Sequence, residues 1–209
     1  MLLITVKAFE VFDEKTEKFI KVEKDTKLKM ENSLHAIAEW EKKYNKPWIL
    51  DQRASKYAQK QEAEEKTQEE MLYYLRCMVY KIDNELIESP DEVDDKLIYN
   101  LSDENYQKIQ NYLQESNTAT THIPDVKPDK KHKPDNLRLT SERLFAWLAE
   151  LQIPFEAEYW NVTRLFNVIQ LVNYDNTPDD RKKRQKPHEI AQDYAAINKQ
   201  RLERLGTKG

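Results

Sequence analysis

Residues 1–205 contain no glycine; the two glycines of this chain are Gly206 and Gly209. At ordinary usage a chain of 209 residues would carry roughly 15 of them. Glycine lets a backbone enter the left-handed region or approach a ligand without a Cβ in the way, so every turn in the body must be made by other residues. A P-loop, a GxGxxG dinucleotide turn, a GxSxG nucleophile elbow and an EF-hand loop are all absent. Turns built on Asp, Asn, Ser, Thr and Pro can be type I, which needs no positive φ, so the amino-terminal hairpins are expected to be looser than two-residue turns.

With 39% apolar and 34% charged residues, the chain can build a modest core inside a heavily charged surface, in one or two domains. No apolar run approaches the roughly 20 residues that cross a bilayer, and MLLITVKAFE turns polar too soon for a signal peptide, so a soluble, intracellular, helix-rich protein is expected, with no membrane partner. Cys77 is the single cysteine; it cannot form an intramolecular disulfide, and a Cys-based zinc cage is excluded. Residues 1–117 hold 18 Lys plus Arg against 25 Asp plus Glu, a balance of −7, whereas residues 118–209 hold 16 against 13, a balance of +3. Such asymmetry describes two differently solvated surfaces, or a partner or nucleic-acid site on the second.

Period-two alternation at Leu2, Ile4, Val6 and Ala8, then at Ile20 and Val22, then at Leu28 and Met30, predicts a three-stranded β-meander within the first 31 residues. The period becomes helical at Leu34, Ile37, Trp40 and Tyr44, with Asn32 or Ser33 as N-cap and Pro47 limiting the far end. Residues 51–66 are polar and form either a solvated helix or a disordered insert. Thr67 and Glu70 make a capping-box pattern ahead of a helix through Met71, Leu72, Leu75, Met78 and Val79. An acidic loop over 83–95 follows, and Ser102 can cap a short helix bearing Tyr106, Ile109 and Leu113. Pro124, Pro128 and Pro134 with Lys130, Lys131 and Lys133 mark a linker. Beyond it Thr140 opens a helix with the stripe Leu144, Trp147, Leu148 and Leu151, which Pro154 ends. A helix from about Asn161 is apolar around most of its circumference and wants partners on more than one side; a last helix runs from about Pro187 to Leu205, capped by Gly206. The expected fold is α+β, mainly α: a β-meander plus helical module over 1–115, a Pro/Lys-rich linker over 116–136, and a three-helix module with a mobile tail over 137–209.

Chemistry-bearing clusters are sparse. His35, His122, His132 and His188 show no metal spacing, and His188-Glu189 lacks the second histidine of a zincin helix. Asp91, Glu92, Asp94 and Asp95 offer oxygen ligands but match no cation-loop spacing. Cys77 reads as a buried thiol, having no histidine near it in sequence. No cofactor, metal or catalytic residue is expected, and the chain reads as non-enzymatic. Arg181, Lys182, Lys183, Arg184 and Lys186, with Arg201 and Arg204, could contact phosphates, which keeps a nucleic-acid-binding reading open. Large aromatics concentrate in two places, and those left exposed would anchor a partner; the candidate partner-binding residues are Trp40, Tyr44, Trp48, Trp147, Trp160 and Phe166.

Three stretches in order carry a resemblance: SLHAIAEWEKKYNKPW at 33–48, EEMLYYLRCM at 69–78, and the segment from LTSE at 139–142 through IPFE at 153–156 to Trp160-Asn161 and Arg164-Leu165. Together with the ending NKQR at 198–201 and LGTKG at 205–209, this order resembles a family of small tailed-bacteriophage proteins from the virion structural gene block, often described as tail assembly chaperones. The resemblance covers most of the chain apart from the amino-terminal strands and the polar insert. It implies a non-enzymatic helper in the host cytoplasm that binds a tail or other virion structural protein, such as the tape measure or tail tube protein, or that stays in the virion as a structural component.

Overall fold

The computed structural model describes residues 1–13, 18–22, 24–48, 66–114 and 139–182, and beyond these 191, 194, 195, 198, 199 and 202. The expected linker over 116–136, the polar insert except Lys66, and the Gly206 cap lie outside the described residues, as does most of the last expected helix, of which the six isolated positions are helical. The protein is mixed α+β and mostly helical.

Among the described residues of the first 30, the strands nest as a hairpin, an outer pair enclosing an inner pair, rather than running as a meander. β1 (Leu2–Val6) pairs antiparallel with β4 (Thr26–Met30), from Leu2 opposite Met30 to Val6 opposite Thr26. β2 (Phe9–Asp13) pairs with β3 (Lys18–Val22), from Phe9 opposite Val22 to Asp13 opposite Lys18, as a separate two-stranded ribbon. Asp25 ties the junction of the two ladders: its Oδ1 accepts the Ala8 N–H at 3.0 Å and its Oδ2 lies 3.4 Å from Lys7 Nζ. That N–H, and then the lysine, keep the Asp25 carboxyl below its ordinary range.

The third and fourth strands of the main sheet come from the second half of the 1–115 segment. β5 (Val79–Ile82) directly follows the helix over Gln68–Met78, and β6 (Glu85–Leu86) returns across a two-residue turn, so the order is β1-β4-β5-β6. Ile4, Val6, Leu28, Met30 and Val79 are buried in the first core cluster, and helices cover that face. α1 (Leu34–Tyr44) is capped by Ser33, whose Oγ accepts the Ala36 N–H at 3.2 Å; Asn32, the other cap candidate, accepts the Tyr74 hydroxyl instead, at 2.5 Å. α2 (Gln68–Met78) opens on the predicted capping box: Thr67 Oγ1 accepts the Glu70 N–H at 3.2 Å and Glu70 accepts the Thr67 N–H at 2.9 Å. The acidic loop is more ordered than expected. It contains the β5–β6 turn, a 3-10 turn (Pro90–Glu92) and helix α3 (Asp95–Tyr99). α4 (Asp103–Gln114) starts where Ser102 Oγ accepts the Asn105 N–H at 3.3 Å, and the Asn105 amide covers the open edge of β1 by donating to Thr5 O at 3.0 Å.

After the undescribed stretch come α5 (Ser141–Glu150), a 3-10 turn (Phe155–Tyr159) and α6 (Val162–Asp175). Leu144, Leu148, Leu165 and Ile169 form a second cluster, to which α1 contributes Leu34. This segment docks on the first by backbone and carboxylate links. The caps of α1 and α6 form an antiparallel bridge, Ser33 with Asn161, and Val162 N–H donates to Asn32 O at 2.7 Å. Glu41, buried on α1, accepts the Ser141 N–H at 2.7 Å and the Trp48 N–H at 2.6 Å. Thr140 supplies no side-chain cap to α5, so a carboxylate from 100 residues away does that work, where the positive end of a helix favours an anion.

Among the described residues, three turns enter the left-handed region without glycine. Asn45 ends α1 at φ 53°, Asp83 makes the β5–β6 turn at φ 52°, and Gln152 stands at φ 55°. Past α5, Ile153 N–H reaches Leu148 O at 2.8 Å and Gln152 N–H reaches Ala149 O at 3.3 Å, a Schellman closure. That closure, rather than Pro154, terminates the helix.

Candidate functional site

An apolar cleft of about 340 Å³ lies where the main sheet ends beneath α1 and the 155–159 turn. Its floor is the α2–β5 junction, Cys77, Met78 and Val79; one wall is the chain from Leu86 to Pro90, and the other is His35 with Tyr159. Leu86, at 62% exposure, and Tyr159, at 56%, stand at the rim with their apolar surface in water. The Tyr159 ring packs on His35 at 4.9 Å between centroids, and His35 Nδ1 is 3.9 Å from Glu158 Oε2.

A polar node that joins the two segments contributes Met1 and Glu31 to the lining of the cleft. Glu31 Oε1 accepts hydrogen bonds from the Tyr112 hydroxyl, the Asn32 N–H at 3.1 Å and Asn161 Nδ2 at 3.0 Å, while its Oε2 pairs with the Met1 amino group at 2.8 Å. Burial first, then the bond to Glu31, pushes the Tyr112 hydroxyl pKa upward. This node fixes the wall against the floor, and its lone pairs are committed to internal donors.

The cleft unites Cys77 with His35, which sequence spacing could not reveal, but the pair does not make a nucleophile. Burial, and after it the Glu39 carboxylate, push the Cys77 thiol up to about 12, so the neutral thiol dominates at physiological pH. At pH 8 the native thiolate fraction is expected to be roughly a thousandfold below that of an ordinary cysteine. Iodoacetamide should therefore leave Cys77 unmodified in the native protein and alkylate it in urea, as read by intact mass; comparable labelling in both states refutes the inert-thiol assignment. The folded thiol keeps a proton that the unfolded one loses, so this group draws stability down as pH rises past about 9 toward 12.

The acidic loop is used for structure. Ser89 and Glu92 cap the 3-10 turn reciprocally, Asp94 Oδ1 accepts the Lys96 N–H at 2.9 Å, and Arg76 pairs with Asp95 and, at 3.5 Å, with Asp91. Two of the four carboxylates, Asp91 and Asp95, are thus paired with an arginine, and the other two, Glu92 and Asp94, accept backbone N–H groups. Among the described residues no group of three or more His, Cys, Asp or Glu side chains is arranged to hold a metal ion, and no helix there is long and apolar enough to cross a membrane.

The aromatic candidates divide between two clusters and do not form one surface. Trp40 is 1% exposed and so cannot touch a partner; it is a core residue, because its place on the inward stripe of α1 outweighs its suitability as an anchor. Tyr44 and Trp48 are half-buried beside it, with Lys66 Nζ 4.3 Å from the Trp48 ring. Trp147, Trp160 and Phe166 are half-buried against the second cluster, and Arg143 and Arg164 lie over the two indoles at 5.6 and 5.1 Å. Of the basic candidates, Arg181 and Lys182 are half-buried; Lys182 donates to Asp175 O at 3.2 Å and pairs with Asp179 at 3.3 Å, finishing α6 rather than facing outward. Lys183, Arg184, Lys186, Arg201 and Arg204 lie outside the described residues. Neither Leu86 nor Tyr159 is among the six candidate anchors; Tyr159 belongs to the aromatic concentration between α5 and α6, whose exposed members are expected to anchor a partner, and Leu86-Ile87 is an apolar pair inside an otherwise acidic stretch.

Comparison with protein-family models, curated proteins and solved structures finds no match.

Proposed function

We propose that this protein is a non-enzymatic binding protein that holds an apolar segment of a partner in the cleft between Leu86 and Tyr159. The observation that carries it is an apolar cleft of about 340 Å³, within the range of ligand pockets, with two exposed apolar side chains at its mouth and an inert thiol at its base. Isolated exposed leucines are ordinary, but apolar side chains gathered around a cleft mark an interaction site. Joined to the sequence resemblance, this reading takes the form of a tail assembly chaperone acting on a virion structural protein, the tape measure or tail tube protein being the partners to try.

Co-expression with each of those proteins, from the phage that encodes this chain, should give a complex stable to affinity purification. Leu86→Asp should abolish the complex while leaving thermal stability within about 0.5 kcal/mol, as for a surface change on a short edge strand. Failure of every tail protein to co-purify sinks the chaperone reading. Mass spectrometry of purified particles then tells a departing helper from a resident structural component.

A further inference from the structure

The outer face of the main sheet carries a charge pattern that the cleft alone does not explain. Leu3 of β1 lies opposite Lys29 of β4, Lys29 opposite Lys81 of β5, and Lys81 opposite Leu86 of β6. One row across all four strands therefore reads Leu, Lys, Lys, Leu. Leu28 and Met30, on either side of Lys29, are buried in the core, and alternation along a strand then puts the row on the outer face. Directly opposed residues in an antiparallel pair bring their Cβ atoms to about 5 Å, where like charges repel. Neither Lys29 nor Lys81 has a side-chain hydrogen bond or ion pair among the described residues. Lysines on an edge strand discourage aggregation, but β4 and β5 are the two central strands, so that explanation does not apply. The row ends in apolar groups, Leu3 at 54% and Leu86 at 62% exposure, and Leu86 also lines the cleft.

We propose that this face receives an acidic amphipathic helix of the partner, its apolar stripe reaching from Leu3 to Leu86 and its carboxylates meeting Lys29 and Lys81. The inference rests on the binding reading above and names the partner's chemistry. The fit is geometric as well as electrostatic. Two carboxylates one turn apart on a helix are separated by about 5–6 Å at Cβ, close to the spacing of the opposed lysines. The row crosses three inter-strand gaps, about 14 Å, which a helix spans in roughly ten residues. A phosphate backbone would leave the two leucines without apolar contact. The balance of −7 over residues 1–117 also opposes a nucleic acid or an anionic bilayer at long range, whereas a short acidic helix seats within the local positive potential.

The test uses the full chain and two fluorescent helical peptides of about 18 residues, five turns, each with a leucine stripe. One peptide flanks the stripe with Glu pairs and the other with Gln. At low salt the Glu peptide should bind about tenfold more tightly than the Gln peptide, and the preference should vanish in Lys29→Gln/Lys81→Gln. Lys29→Glu gives an independent check. It converts the opposed like charges into an ion pair, so the melting temperature should rise by about 1–4 °C while the preference for the Glu peptide is lost. Equal binding of the two peptides, or a preference that survives the double substitution, overturns the acidic partner and leaves the cleft reading standing. Binding of neither peptide overturns both. Tighter binding to phosphatidylserine vesicles or to a DNA duplex than to the Glu peptide also overturns the proposal, in favour of that anion.

Discussion

Glu41→Ala is expected to lower the stability of the whole protein by about 3–5 kcal/mol, through two stranded backbone donors and a helix start that loses its anion. The side chain is buried and accepts from Trp48 N–H and Ser141 N–H. Alanine leaves both donors inside the protein with no acceptor, which costs more than the hydrogen bonds themselves contribute. The loss also has a direction. α5 begins at Ser141 with no side-chain cap of its own, so the 139–182 segment should loosen before the sheet does. Glu41→Gln keeps one acceptor oxygen and should cost about half as much. Urea denaturation followed by far-ultraviolet circular dichroism checks the magnitude, and hydrogen exchange at Leu144 and Leu148 checks the direction. A midpoint for Glu41→Ala indistinguishable from that of the parent would show that the carboxylate does not hold the two segments together.

The second large effect is expected at Trp40. Its ring meets Tyr44 at 5.0 Å and Trp48 at 4.8 Å between centroids, and Trp48 stacks on Tyr74 at 3.6 Å with planes 18° apart. Its Nε1 donates to Glu70 O at 2.9 Å, inside the first turn of α2. Trp40→Ala opens a cavity at the α1–α2 contact and should cost about 3–5 kcal/mol. Trp40→Phe retains an aromatic body and should cost about 1–3 kcal/mol, the Glu70 carbonyl losing its partner. Tyr44→Phe is the control: the Tyr44 hydroxyl is buried with no hydrogen-bond partner among the described residues, so its removal should be neutral or stabilising. Chemical denaturation gives the three values. An order in which Tyr44→Phe is the most damaging would refute the arrangement of this cluster.

These two sites also show where the sequence was readable. The stripe Leu34, Ile37, Trp40 and Tyr44 announces a helix because burial repeats with the helical period, and Thr67 with Glu70 announces the next because both halves of a capping box lie within four residues. The stripe on α5 was legible for the same reason. What failed was non-local. Alternation in the first 31 residues marks strands but not which strand pairs with which, and the strands nest as a hairpin where a meander is expected. Glu85-Leu86 escaped notice because two residues carry no period. The Glu41–Ser141 link joins positions 100 apart, with no local trace, and the cleft is assembled from α1, the α2–β5 junction and the 155–159 turn in the same way. Anchor assignments erred at Trp40 because residue type cannot separate a core indole from an interface one.

Asn45, Asp83 and Gln152 have a consequence for the unfolded chain. Each holds a backbone angle that glycine adopts without strain, and an L-residue there gives up about 1 kcal/mol or somewhat more. A glycine at any of them would relieve that strain locally while making the denatured ensemble more various, and the two effects oppose each other. Spread over a body with no glycine at all, the second effect is general: the disordered chain is stiff, and collapsing it forfeits less freedom than usual. Part of what keeps this protein folded is therefore absent from its contacts, and residues that only make turns contribute to it.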